Sequence, residues 1–194
     1  MNHNHAFAVW QAEIISRLAQ GLISKPIKIL DFGAGDGMLT HFIQNTFFRG
    51  ELSAVDTDEQ KVKILTDYYP SIRAHHITHR FPCNDTHFDL IYAANTFHHI
   101  PKEMHDFWLQ ELFRVLKKDG TLIVLELNPF NLKTLYHFRH NPEEKNAQLI
   151  NPYCFKKRLQ QYGRPKLKFF FPNYNNAITS ALPFGPLYSL LIKK

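Results

Sequence analysis

The chain has 194 residues, 44% of them hydrophobic and 21% charged, with a formal net charge of +6 and two cysteines. Its length and apolar content fit one globular domain with a sizeable core. Cys83 and Cys154 have no metal or redox spacing, and no apolar run reaches the ~18 residues of a membrane span, which argues against a disulfide framework or a transmembrane class. With a polar, histidine-containing start and no secretory pattern, the expected location is cytoplasmic.

The positive charge is unevenly placed. Residues 145–194 hold nine bases and no acid, whereas all 17 acids lie in 1–144. Such a stretch is a solvated face or a surface for an anionic substrate or membrane.

In chain order, Phe7, Val9, Trp10, Ile14, Ile15 and Leu18 recur at helical spacing and Gly21 ends the run. The spacing predicts a helix over 6–20 that covers a sheet, with core packing as its main role. Residues 27–40 then read I-K-I-L-D-F-G-A-G-D-G-M-L-T. An apolar strand ends at Asp31. Gly33, Gly35 and Gly37 follow at alternate positions, and an amphipathic helix continues to about residue 48. Glycine permits positive φ and leaves no Cβ between main chain and ligand, and the helix start collects free N–H groups. The dinucleotide fingerprint wants glycine where Met38 stands. Asp36 would also repel a pyrophosphate.

Residues 51–55 form a second strand, with Asp56 at its tip 19 positions after Gly37. A carboxylate there can accept from both hydroxyls of a ribose. Asp56-Thr57-Asp58-Glu59 also reads as a helix start, with Thr57 or Asp58 free to cap it. A helix over 59–69 stops at Pro70, and 71–77 hold a third strand. The fourth strand, around Phe88, Leu90 and Tyr92, ends at Ala93-Ala94-Asn95 and leads into Thr96-Phe97-His98-His99-Ile100-Pro101. Ligands bind outside the carboxyl ends of such strands, so Asn95 to His99 are expected at the reacting centre. A histidine titrates near neutral pH and suits a general base. A helix over 102–118 precedes Gly120 and a fifth strand over 121–125. Glu126 and Asn128 then lie at the same carboxyl edge. Residues 131–150, aromatic and basic, form a lid or substrate segment. Asn151-Pro152 starts a helix that Gly163 ends. The segments 166–171 and 186–192 are strand-like, with a long loop at 172–185.

The strand–turn–helix at Asp31-x-Gly33-x-Gly35-x-Gly37 resembles motif I of the class I S-adenosylmethionine (SAM)-dependent methyltransferases. R-F-P-C-N-D-T-H-F-D-L-I and F-R-V-L-K-K-D-G-T-L-I-V resemble further stretches of that group. F-H-H-I is similar to the L-H-H-(I/V) string of the type 11 methyltransferase family. The likeness is strong over 27–127 and weaker after it. It implies a Rossmann-like α/β fold: a seven-stranded, mostly parallel sheet with an antiparallel C-terminal strand and helices on both faces. It also implies a single domain over 1–194, made of an N-terminal helix (1–25), a SAM-binding core (26–127) and a substrate or lid segment with the final strands (128–194).

The same resemblance implies SAM as cofactor. Asp31, Gly33 and Gly35 would surround its methionine part, Asp56 would hold its ribose and Asn95 would border its methyl, with Phe32, Ala34 and Thr57 as further cofactor-binding residues. The family's Asp-Ala near the adenine is replaced by Ile77-Thr78, which leaves backbone groups at Thr78 for that contact. His98 is the expected base, His99 the second candidate, and Glu126 an orienter. The acceptor is expected to be a small molecule, lipid- or sugar-linked. A SAM-binding module without catalysis is the alternative. Nucleic-acid methylation is disfavoured because no N-P-P-(F/Y) follows the fourth strand. No metal is expected, because no C-x2-C spacing occurs. His75 and His76, as neighbours on a strand, face opposite sides.

Overall fold

In the computed structural model, residues 3–171, 178–180 and 183–194 are described, with side chains over 5–171 and 183–194. Strands β1 (Lys28–Phe32), β2 (Glu51–Asp56), β3 (Arg73–His76), β4 (Phe88–Ala94) and β5 (Leu116–Leu127) are parallel to one another. They are joined by β6 (Lys166–Phe171), β7 (Ile178–Ser180) and β8 (Leu187–Lys193), and the sheet order is β3-β2-β1-β4-β5-β8-β6-β7. β8 runs antiparallel between β5 and β6. The seven-stranded plan is therefore present, and the three-residue β7 adds an eighth strand antiparallel to β6. Part of the expected 172–185 loop lies outside the described residues.

Among the described residues six helices surround the sheet: α1 (His3–Leu18), α2 (Met38–Thr46), α3 (Glu59–Tyr68), α4 (His105–Val115), α5 (Leu132–His140) and α6 (Pro152–Leu159). Strand side chains alternate between two cores. Leu90 and Tyr92 of β4 and Ile123 and Leu125 of β5 pack with Ile14 and Ile15 of α1 and Ile43 and Phe47 beside α2. Ile91, Ala93, Leu122 and Val124 point the other way, onto Leu109 and Leu112 of α4 and Phe155 and Leu159 of α6. Both faces are buried, as a parallel sheet requires. No helix among the described residues is long and apolar enough to cross a membrane.

Local capping follows the chemistry of the side chains. Asp58 caps α3 by accepting from the backbone N–H groups of Gln60 and Lys61. Asn151 caps α6 by accepting from those of Tyr153 and Cys154, with Pro152 in the first turn.

The helix expected over 102–118 is shorter. A 3-10 turn at Lys102–Met104 precedes α4, which stops at Val115. Leu116 has already entered the sheet opposite Phe88, and the register jumps so that Thr121 faces Leu90. The intervening residues bulge, with Asp119 at φ 66°. Lys117 reaches back to pair with Asp89 at 2.8 Å. Tertiary pairing has overridden helix propensity here.

The strand order reverses between β1 and β4. Their carboxyl ends, with those of β2 and β5, form the crevice where such sheets place ligands.

Candidate functional site

A cavity of about 560 Å³ occupies that crevice, within the usual range for small-molecule sites. The turn after β1 forms its floor. Gly33, Gly35 and Gly37 all have positive φ, at 79°, 57° and 84°. A Cβ on Gly33 would lie 2.2 Å from Cγ2 of Thr96, and one on Gly37 would lie 2.5 Å from Cγ of Leu65. Those two glycines let the turn press against its neighbours. Gly35 differs: a Cβ there would meet nothing within 4 Å. Its open side belongs to the cavity wall.

Asp31 lies beneath the turn, buried, and accepts from the Thr40 hydroxyl at 2.6 Å and the Tyr92 hydroxyl at 2.8 Å. Burial pushes its carboxyl up to about 7; the two hydrogen bonds oppose that shift and nearby Asp56 adds to it. At the end of β2, Asp56 accepts from the N–H of Gly35 at 2.7 Å with one oxygen and from the N–H of Asp58 at 2.9 Å with the other. Each oxygen keeps lone-pair capacity. Asp58 caps α3, so Asp56 is not consumed by that role.

Three polar atoms of the cavity wall have no hydrogen-bond partner among the described residues: Oδ1 of Asn95, Nε2 of Gln11 and Oε2 of Glu144, the last of which is ion-paired with His98. Asn95 sits at φ 54°, held by its N–H to the carbonyl of Leu125. Buried polar groups are normally paired, so one free acceptor and one free donor mark places for a ligand.

A second cluster closes the carboxyl ends of β4 and β5. Glu126 is buried, and its Oε1 accepts from the backbone N–H groups of Thr96 (3.0 Å) and Phe97 (2.7 Å). Its Oε2 lies 2.5 Å from Nδ1 of His98. Nε2 of His98 forms a buried ion pair with Oε2 of Glu144 at 3.2 Å, and neither atom has a further hydrogen-bond partner among the described residues. Burial disfavours a charged His98, but Glu126 and Glu144 outweigh it and raise the ring to about 10. His99 behaves in the opposite way. Its side chain is half-exposed and lines the cavity, and burial together with the His98 charge lowers its pKa.

The structure brings Asp31, Phe32, Gly33, Ala34, Gly35, Asp56, Thr57, Asn95 and His99 together around one cavity. His98 and Glu126 stand behind the wall and hold the loop after β4. Thr78 is exposed and outside the lining, bonded to Nδ1 of His79 through its hydroxyl, and the buried Ile77 takes the wall position.

Some wall residues carried little or no signal in the sequence. Phe7, Ala8 and Gln11 come from α1, which the sequence marks mainly as core packing. Asn141, Glu143 and Glu144 come from the segment after α5. Their one hint was an acid pair closing the acidic part of the chain. That segment is fastened by the N–H of Gln148, which donates to the carbonyl of His98.

Among the described residues, six carboxylates line the cavity (Asp31, Asp36, Asp56, Asp58, Glu143 and Glu144), with Lys61 as the one lysine or arginine. None of the nine basic residues of 145–194 is among the lining residues.

Comparison with known proteins agrees with this geometry. Residues 29–120 match the family model of a methyltransferase domain. Among curated proteins, no sequence matches the chain. A SAM-dependent methyltransferase of Archaeoglobus fulgidus superposes with a TM-score of 0.73 at 16% identity, over 100% of both chains. A Thermotoga maritima SAM-dependent methyltransferase, described as a possible histamine N-methyltransferase, gives 0.74 at 17% identity over 97% of this chain and 92% of its own. The 1,6-didemethyltoxoflavin-N1-methyltransferase of Burkholderia thailandensis, solved with its substrate and S-adenosylhomocysteine, gives 0.68 at 16% identity over 96% and 78%. At these identities the superpositions establish the fold.

Proposed function

We propose that this chain, whose residues 29–120 match the family model of a methyltransferase domain, transfers the methyl group of SAM to a small-molecule acceptor. The observation that carries this reading is the charge of the cavity. Six carboxylates against one lysine suit a ligand with an ammonium and a sulfonium, and repel the pyrophosphate of a dinucleotide.

The residues present fit that cofactor. The free Oδ1 of Asn95 can accept from its ammonium, and the free Nε2 of Gln11 can donate to its carboxylate. Asp31 adds negative charge below the turn, and the bare edge of Gly35 admits close approach. Asp56 and Thr57 take the ribose, and Ile77 offers an apolar wall to the adenine. Bound there, SAM supplies an electrophilic methyl on a positively charged sulfur.

Positioning of donor and acceptor accounts for much of the rate in such a transfer. His99, Ile100, Asn141 and Glu144 also line the cavity and are assigned to the acceptor. His99 is the ring that touches it. His98 and Glu126, behind the wall, are positioning residues that fix the backbone of Thr96 and Phe97. The exposed Leu132 and Tyr136 on α5 lead toward Asn141 and support an acceptor with an apolar or lipid-linked part.

Calorimetric titration with SAM, S-adenosylhomocysteine and NAD tests the assignment. Micromolar binding of the first two and none of NAD is the expected result, followed by methyl transfer in an acceptor screen with labelled SAM. Binding of NAD alone would overturn it. Binding of SAM without transfer to any acceptor would leave a SAM-binding module in its place.

A further inference from the structure

His98, His99 and Glu144 come from separate places in the chain and converge with their ligating atoms all within 4.8 Å of one another. Oε2 of Glu144 stands 3.2 Å from Nε2 of His98 and 3.6 Å from Nε2 of His99. Metal–ligand bonds of ~2.0–2.1 Å at tetrahedral angles place neighbouring ligand atoms about 3.3 Å apart. Two edges of the triangle already have nearly that length. The third edge, between the histidines, can close by a small rotation of the half-exposed His99 ring.

Two further observations point to a missing occupant. Nε2 of His98 and Oε2 of Glu144 are both buried and, apart from their ion pair, both lack a hydrogen-bond partner among the described residues. In addition, Nδ1 of His98 is engaged by the Glu126 carboxylate. A carboxylate behind one ring nitrogen, with the other turned toward the Glu144 carboxylate, is the outer-shell arrangement that orients metal-binding histidines.

We propose that His98, His99 and Glu144 bind a divalent transition-metal ion at the acceptor side of the cavity. Two imidazoles and one carboxylate favour the borderline ion Zn²⁺, and after it the harder Mn²⁺, over Mg²⁺, which takes oxygen ligands. His99 and Glu144 line the cavity, so the remaining coordination positions open onto it. The proposal deepens the methyltransferase reading and rests on it for the ion's role. An acceptor hydroxyl or thiol bound to the ion would be acidified there and lose its proton to solvent, as metal-bound water does. The acceptor class is thereby narrowed to molecules with a coordinating oxygen or sulfur next to the methylated position, or at it. The chain gives no spacing signature for this set. Two of the ligands are adjacent, and the third arrives on the strap after α5.

The test uses the full-length protein, stripped with chelator and dialysed against Zn²⁺, Mn²⁺ or Mg²⁺, with bound metal counted by atomic emission. The Co²⁺-loaded protein is read by its visible d–d bands. The expected result is one equivalent of Zn²⁺ or Mn²⁺ per chain and none of Mg²⁺. In Glu144→Gln and in His99→Ala the affinity should fall by at least about 100-fold, with the Co²⁺ spectrum altered. Both substitutions lie at the cavity wall, and circular dichroism checks that they fold. No uptake by the parent protein would overturn the proposal and leave a proton-held Glu126–His98–Glu144 cluster. Equal uptake by parent and variants would overturn it too, because the metal would then be on surface histidines. SAM titration in parallel separates the two levels. SAM binding without metal sinks the ion alone, whereas metal binding without SAM supports the site and sinks the methyltransferase reading.

Discussion

The backbone N–H of Gly35 donates to Oδ2 of Asp56 at 2.7 Å, which ties the glycine turn after β1 to the end of β2. The same carboxylate accepts from Asp58 N–H, at the entry to α3. Asp56 thus holds two loops and offers its remaining lone pairs to the cavity. Asp56→Ala should lower SAM affinity at least tenfold and cost about 1–2 kcal/mol of stability, as two N–H groups lose a charged acceptor. Asp56→Asn should recover most of the stability and little of the affinity. Calorimetry paired with denaturant unfolding separates the two effects. Unchanged affinity in the Ala variant would remove Asp56 from the ribose.

The glycines divide between fold and ligand. Gly33→Ala forces a Cβ to within 2.2 Å of Thr96 at φ 79°. It should destabilise the protein by roughly 2–4 kcal/mol through clash and left-handed strain. Gly35→Ala meets nothing within 4 Å and carries only the strain, about 1 kcal/mol. Its added methyl should instead appear as a loss of SAM affinity, because it stands where the cofactor must come close. Thermal unfolding and SAM titration of both variants check the contrast; equal stability losses would contradict it.

Asp31 gives a pH signature. The groups around it are Thr40 on α2, Tyr92 on β4 and Asp56 on β2. Its folded pKa of about 7 lies above the ordinary aspartate value of 3.8. Between those values the folded state holds a proton that the unfolded chain has lost. Stability should therefore fall as pH rises from 4 to 7 and level off above, by on the order of 3–4 kcal/mol from this group. Asp31→Asn should flatten that part of the profile, measured as the difference in unfolding free energy between parent and variant. A ligand ammonium beside Asp31 favours its ionised form, so SAM binding near pH 6.5 should release a proton. Calorimetry in buffers of different ionisation enthalpy reads that release directly.

The bases of the C-terminal quarter do not line this cavity. Lys166, Lys168 and Lys193, with Arg17 (paired to Glu13), surround a smaller cavity of about 270 Å³ at the edge of β5, β8 and β6. If this is a surface for anionic lipid, the protein should cosediment with acidic vesicles at low salt. Binding should then fall as the Debye length shrinks from ~30 Å at 0.01 M to ~8 Å at 0.15 M. Replacing Lys166 and Lys168 with Glu should abolish it. No binding at low salt would make the patch a solvated face.

Much of this fold is legible in the sequence where one short segment decides the outcome. The turn at Gly33 to Gly37, the Asp58 and Asn151 caps and the alternation in β4 are all local patterns. The misses are long-range. The end of α4 at Val115 depends on Leu116 pairing with Phe88. The exposure of Thr78 depends on Ile77 turning inward. His98 and His99 are adjacent and chemically alike, so sequence cannot tell which ring enters the cavity. The 3-10 turn at Phe97–His99 and the Glu126 bond settle it by turning His98 inward and leaving His99 at the wall. Glu144 is invisible for the same reason, because only the path of the strap after α5 brings it to the histidines.

Asn128 shows how a residue at the carboxyl edge of a strand can serve the fold instead of the site. It is fully buried, and its Nδ2 donates to the carbonyls of Pro183 (2.9 Å) and Gly185 (2.6 Å). Its Oδ1 accepts from the N–H of Phe130. The side chain is a bracket between the end of β5 and the approach to β8, with its amide committed to three backbone groups. Asn128→Ala should leave those groups unpaired and lower stability by roughly 3 kcal/mol, seen as a fall in the denaturant midpoint at constant slope. Asn128→Asp should be worse, since a carboxylate would face two carbonyl oxygens. SAM affinity should stay within about twofold in the folded fraction, because Asn128 is absent from the cavity lining. A large loss of affinity at unchanged stability would move Asn128 into the site.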